Sequence, residues 1–258
     1  FMADNDENPE AMKEIILPIR QDGAKARSHG GSTMLINGTR CSGMPYYYQS
    51  NPWQCIFARK DMVGKFIPSL DVVNADNDAC SKSYDKYLKD NNLDASKLTE
   101  ADILKMDEAL GASTKEMVRK AGDDRALLYG GFAGGVRRMS PDKTIKNFFD
   151  GLSIVKWSNV RTDGAAAHGE NFCDTDIPLF RLGEIYLTRA EALYRLGDKQ
   201  GALKDIQKLQ DRAHRINIAQ SVDLNYILDE WCREFYLEGR RRSDLVRFGL
   251  FTSSQYVW

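Results

Sequence analysis

A mainly α-helical fold, a helical scaffold with loops and short strands packed on it, is predicted by three features of this sequence. Its last third is written in helical phrases, over residues 177–196, 199–215 and 225–237, each with apolar residues at i, i+3, i+4 and i+7. A shorter fourth phrase, "RSDLVRFG", follows them. The first two phrases place small residues where two helices would face each other. Before residue 177 the apolar segments are short and broken by glycine, proline and polar runs, which suits strands and loops rather than long helices.

The elements follow in order. "EIILPI" (14–19) reads as a strand, closed by the turn signal "QDG", and "STMLING" is a second short apolar segment beyond the flexible "SHGG". "TRCSGMPYYYQSNPW" (39–53) has turn formers and four aromatics but no period of 2 or 3.6, so it is a loop. "CIFARKDMVGKFIPSL" gives a short amphipathic helix stopped by Pro68, and residues 69–92 read as a polar surface excursion with a short helix around 84–88. "TEADILKMDEAL" is a helix with Thr99 as N-cap and acids in its first turn, and "STKEMVRKAG" is another, stopped by Gly122. "DDRALLYGGFAGG" and "GLSIVKWSNV" are irregular or β segments, with Trp157 in the core, and "RTDGAAAHGENFCDTD" is a loop.

Within the helical phrases Ala190, Leu193, Tyr194, Gly197-Asp198, Ala202, Leu203, Ile206 and Leu209 follow the order of a tetratricopeptide repeat. Small residues at facing positions let two antiparallel helices approach, and Gly-Asp reverses the chain between them. One such unit cannot bury both of its faces, so it needs neighbours, some from outside this sequence. Residues 1–176 thus read as a loop-rich part with short strands and helices, in which a ligand-binding site is expected, and residues 177–258 as a helical scaffold. Together they are expected to make one domain that belongs to a larger protein.

Composition excludes several functions. The 258 residues carry 36 Lys+Arg against 37 Asp+Glu, a net charge of −1, which gives no global attraction for nucleic acid. No apolar run is long enough to span a membrane. His29, His168 and His214 have no HExxH spacing, and neither GxSxG nor a P-loop occurs, so no catalytic residue is assigned. Cys41, Cys55, Cys80, Cys173 and Cys232 lack CxxC spacing and read as buried or half-buried small apolar residues. "REFYLEGRRRSDLVRF" is rich in arginine, but Glu234, Glu238 and Asp244 are interleaved at helical spacing, so internal ion pairs explain it better than a nucleic-acid face.

Two groups of residues remain as candidate sites. Tyr46, Tyr47, Tyr48 and Trp53 sit in the aperiodic loop between Pro45 and Pro52, where their faces suit the apolar C–H faces of sugar rings. Arg40, Gln49 and Asn51 supply rim groups for sugar hydroxyls, the other reading being that some of these rings fasten the loop to the helices. Asp174 and Asp176, with Asp22, offer hard oxygen ligands for a structural Ca²⁺. Alternatively Asp176 is the N-cap of the helix that opens at Pro178, and Asp174 is solvated.

The phrases "DTDIPLFRLGEIYLTRAEALYRLGD", "ILDEWCREFYLEGRRRSDLVRFG", "GLSIVKWSNV" and "DNDENPEAMKEIILPIRQDG…HGGSTMLI" resemble, in order, those of the SusD/RagB family of outer-membrane nutrient-binding lipoproteins. Residues 69–117 carry no matching motif. The resemblance implies one SusD-like domain, incomplete at both ends, and a non-catalytic, cell-surface subunit. Such a subunit captures glycans for a SusC-like, TonB-dependent outer-membrane transporter. Some members carry calcium near the Asp174 phrase. Membrane association would come only through a lipid anchor in a missing N-terminal part, because no cysteine here follows an apolar lipidation signal. The other function classes are a tetratricopeptide scaffold for a peptide partner and a secreted glycoside hydrolase.

Overall fold

The structure, a computed structural model, describes residues 9–25, 56–67, 77–131, 152–159, 161–163, 165, 168, 172–254 and 256. Among them the order is α1 (Pro9–Met12), β1 (Ile15–Ile19), β2 (Phe57–Ala58), α2 (Lys60–Phe66), α3 (Asn77–Asp90), a 3-10 turn (Ala95–Lys97), α4 (Glu100–Ala109), α5 (Thr114–Ala121), β3 (Leu128–Tyr129), β4 (Leu152–Ile154), β5 (Ile177–Arg181), α6 (Leu182–Arg195), α7 (Lys199–Arg212), α8 (Leu224–Phe235) and α9 (Arg241–Arg247). Helices dominate, as the periodicity predicts. Strands β2, β4 and β3 form a small antiparallel sheet with β4 in the middle, and β1 pairs with β5 as a separate antiparallel ribbon.

Local chemistry sets most helix ends. Thr99 opens α4 with a capping box: its hydroxyl accepts from Asp102 N–H at 3.2 Å while the Asp102 carboxylate accepts from Thr99 N–H at 3.0 Å. Ser113 caps α5 by accepting from Glu116 N–H, and Gly122 closes it at φ 57°, a left-handed position glycine takes without steric penalty. Between α6 and α7 the chain reverses at Gly197, φ 94°, and Asp198 then accepts from Gly201 N–H at 2.8 Å as the cap of α7.

Two large apolar cores result among the described residues. One lies where α2, α3, α4 and α5 meet the three-stranded sheet, around Val63, Phe66, Met106, Met117, Leu128 and Leu152. The other fills the α6–α7–α8 interface, where Ala190 and Ala202 are fully buried among Leu187, Ile206, Leu209 and Ile227, as the repeat order requires. Helix α8 borders both cores: Trp231 and Phe235 belong to the second, while Tyr236, just past its end, meets Phe66 edge-on at 5.8 Å in the first.

Three expectations are corrected. Residues 177–181 are strand, so the helix predicted over 177–196 begins at Leu182, with Arg181 extended at φ −143°, ψ 162° as its N-cap. The apolar "IILPI" offers Ile177–Arg181 a long-range ladder, which a pattern count over neighbouring residues does not see. Asp176 therefore precedes a strand and caps no helix. The ribbon also ties the two sides of residue 176 together, and the short helix expected around 84–88 is the full-length α3.

Candidate functional site

The ribbon's far end carries the acidic residues singled out by sequence. Asp22 and Asp174 come together there, joined by His168, and ligand-type atoms of the three lie within 4.8 Å of one another. Asp174 is buried and already engaged. Its Oδ1 accepts from Gly23 N–H at 2.7 Å, its Oδ2 accepts from His168 N–H at 2.7 Å, and its own N–H donates to Asn159 Oδ1 at 2.8 Å. Asp22 accepts from Ala24 and Lys25 N–H at 2.9 Å and pairs with the Lys25 ammonium at 3.0 Å, a hydrogen-bonded partner that lowers its carboxyl below the ordinary value. Glycine is required at position 23, because a Cβ there would meet Phe172 O at 2.7 Å and Asp174 Oδ1 at 3.1 Å.

Asp176 lies outside this group of three. Its Oδ1 accepts from Gln21 N–H at 2.8 Å and its Oδ2 faces Arg20 at 3.3 Å, so it braces the end of the ribbon. The donor set is therefore two carboxylates and an imidazole, with Phe172 O close by. That is fewer than the six to eight oxygens of a full calcium shell, so bound water would have to complete the coordination of any cation here. His168 was missed because a histidine in an Ala/Gly-rich loop gives no spacing signal, and only the fold brings it to Asp174.

The aromatic candidates Tyr46, Tyr47, Tyr48 and Trp53, with Arg40, Gln49 and Asn51, lie outside the described residues. Among the described residues that follow them in the sequence, Phe57 and Ala58 pair with Ser153 and Leu152 of β4. Beside this pairing is an apolar cavity of about 280 Å³, lined among others by Ile56, Phe57, Met62, Trp231 and Phe235, with Arg59 and Arg241 as its basic members.

The arginine-rich phrase is scaffold. Arg233 holds Glu230 at 2.7 Å, Arg240 pairs with Glu184, Arg247 pairs with Glu191 and Asp244, and Arg241 donates to Leu228 O. Deeper, Arg181 donates to Glu238 at 2.7 and 2.8 Å, to Glu14 at 3.0 Å and to Glu234 O at 2.9 Å. Gly183 lets this cluster close, since a Cβ there would lie 2.6 Å from Arg181 Nη1. Lys156 donates to the Glu234 and Tyr236 carbonyls and to Glu238, and the neighbouring Trp157 Nε1–H donates to Leu237 O at 3.1 Å. Burial raises the Glu234 carboxyl, but the charges of Arg181, Arg125 and Arg212 outweigh it and hold the group well below the carboxylate range. Burial also pulls Lys156 down to about 8. Trp157 and the two described cysteines, Cys173 and Cys232, are buried as expected. Among the described residues no helix is long and apolar enough to cross a membrane.

Comparison with known proteins gives this arrangement a family. The starch-binding protein SusD of Bacteroides thetaiotaomicron is 52% identical over 261 residues, covering 100% of this chain and 44% of that protein, so the chain spans less than half of its relative's length. A solved SusD superfamily protein from Bacteroides fragilis is similar over 90% of this chain and 40% of its own, with 18% identity and a TM-score of 0.47. The family model described as the SusD family matches residues 13–257, nearly the whole sequence, and the chain belongs to that family.

Proposed function

We propose that the full-length protein is a non-catalytic, cell-surface glycan-binding subunit. It captures oligo- or polysaccharide and passes it to a SusC-like, TonB-dependent outer-membrane transporter. The observation that carries this reading is the 52% identity, running through the whole chain, to a protein named for starch binding, which makes an α-glucan the first ligand to try. The run of aromatic residues flanked by prolines supports it, since rings stacked on sugar faces give affinity without a reactive group. In this reading a lipid anchor outside the 258 residues holds the protein to the membrane. Any cation at Asp22, His168 and Asp174 is structural, bracing the loop against the ribbon.

The test is calorimetric titration of the full-length protein with α-glucan oligosaccharides. Tyr47→Ala and Trp53→Ala should each weaken binding at least about tenfold, or about 1.4 kcal/mol, with the melting temperature unchanged. Wild-type affinity in both variants would move the binding site elsewhere. Accumulation of reducing ends during incubation would replace the capture reading with a hydrolase.

A further inference from the structure

Helix α9 is followed by Gly249, whose φ of 71° turns the chain left-handed, and Leu250 N–H then donates to Leu245 O at 2.8 Å. The residues beyond run back beside the helix they have just left. The Arg242 guanidinium stands over the Phe251 ring at 5.4 Å, and Tyr256 reaches Arg241, the first residue of α9. No side chain of residues 250–254 is buried. A strap of this kind has little to hold it except its anchor, Tyr256.

Tyr256 completes a cradle made by three helices. Its hydroxyl accepts from Lys65 Nζ of α2 and from Arg241 Nη2 of α9, each at 2.9 Å, and donates to Asp229 Oδ1 of α8, so both lone pairs and the proton of the phenol are used. Lys65 also donates to Asp229 at 2.6 Å. Two cations thus face one carboxylate, and the aromatic ring offsets the excess: Lys65 Nζ lies 4.6 Å and the Arg241 central carbon 5.4 Å from its centroid. The cradle adjoins the apolar cavity of about 280 Å³, because Arg241 lines that cavity together with Cys232. Burial raises the Cys232 thiol, and the charges of Arg241, Lys65 and Asp229 act on it as well, so the thiol sits between the cradle and the cavity.

We propose that Tyr256 is the latch of this strap and controls access to the cavity. With the latch made, α9 is held to α2 and α8, and the cavity wall at Arg241 and Cys232 stays shut. When it breaks, the wall opens while the two cores stay folded. The inference is independent of which glycan is bound. The test is alkylation of the full-length protein by N-ethylmaleimide, followed thiol by thiol through peptide mass spectrometry. Tyr256→Phe removes the hydroxyl alone and should speed alkylation of Cys232 at least about tenfold, while the rate at Cys173, buried in a separate cluster with Trp157, stays as in wild type. An unchanged rate at Cys232 would overturn the proposal, because the hydroxyl then holds nothing shut. An equal rise at both thiols would overturn it too, because the opening is then global. A second measurement needs no variant: in wild type the Cys232 rate should rise less steeply with urea than the global unfolding constant does, since opening one wall exposes less surface than unfolding the chain. Matching slopes would show that only global unfolding reaches the thiol, and the latch would be refuted.

Discussion

Arg181→Met is the substitution that probes most directly how the ribbon is held to the helices. The Arg181 side chain is buried, forks between both Glu238 oxygens, reaches Glu14 and the side chain and carbonyl of Glu234, and lies over the Phe235 ring with its central carbon 3.8 Å from the centroid. Methionine replaces much of the volume but none of the donors. Removing one partner of a buried ion pair destabilises by roughly 3–5 kcal/mol, because the charge left behind stays desolvated. Here each orphaned carboxylate keeps another cation: Glu234 keeps Arg125 and Arg212, Glu238 keeps Lys156, and Glu14 keeps Arg212. The lower end, about 3 kcal/mol, is therefore expected. For a domain of this size that corresponds to a drop in melting temperature of roughly 6–12 °C in a scanning experiment. Arg189→Met serves as the control, since its pair with Asp205 is made by a side chain 61% exposed and should contribute no more than about 1 kcal/mol. A melting temperature for Arg181→Met within about 2 °C of wild type would refute the reasoning and place the attachment of the ribbon elsewhere.

Three further outcomes are expected. Ala190→Trp and Ala202→Trp, each forcing a ring into the closed α6–α7 interface, should destabilise by roughly 1–3 kcal/mol or more, and unchanged thermal stability in both would refute the repeat register. Glu230 is fully buried; burial pushes its carboxyl up, but the Arg125 and Arg233 charges outweigh that and hold it at about 2. A folded-state value below the unfolded one contributes stability that is complete above about pH 4.5 and is lost as pH falls towards 2. Wild type should therefore lose about 3 kcal/mol across that window that Glu230→Gln does not lose, read from denaturant unfolding at each pH, and parallel curves would argue against the assignment. If Asp22, His168 and Asp174 hold a divalent cation, calcium should raise the melting temperature of the wild type but not of Asp174→Asn, and no dependence on calcium or chelator in the wild type would exclude a stabilising ion.

Local order was legible in the sequence wherever the forces are local. Thr99, Gly122 and the Gly197-Asp198 reversal act through hydrogen bonds and backbone conformations within a few residues, so their positions could be read directly. The facing alanines of α6 and α7 were legible for a related reason, because a 3.6-residue period and a short turn fix which side chains meet. The internal pairing of the arginine-rich phrase was legible in kind, though its deepest partners, Arg181, Arg125 and Lys156, come from segments 53 or more residues away. Sequence could not decide that "IPLFR" is a strand. Its helical pattern is genuine, and only the ladder offered by "IILPI", more than 150 residues earlier, overrides it. The same ribbon decides the acidic site. By fixing where residues 20–23 meet residues 174–176 it gives Asp174 to Gly23 and His168, and Asp176 to Gln21 and Arg20, a division that the spacing of two aspartates does not contain. Short-range interactions are set by neighbours in the chain and can be read from it, whereas the choice between competing long-range partners depends on every other contact formed at the same time, and that is settled only in the folded molecule.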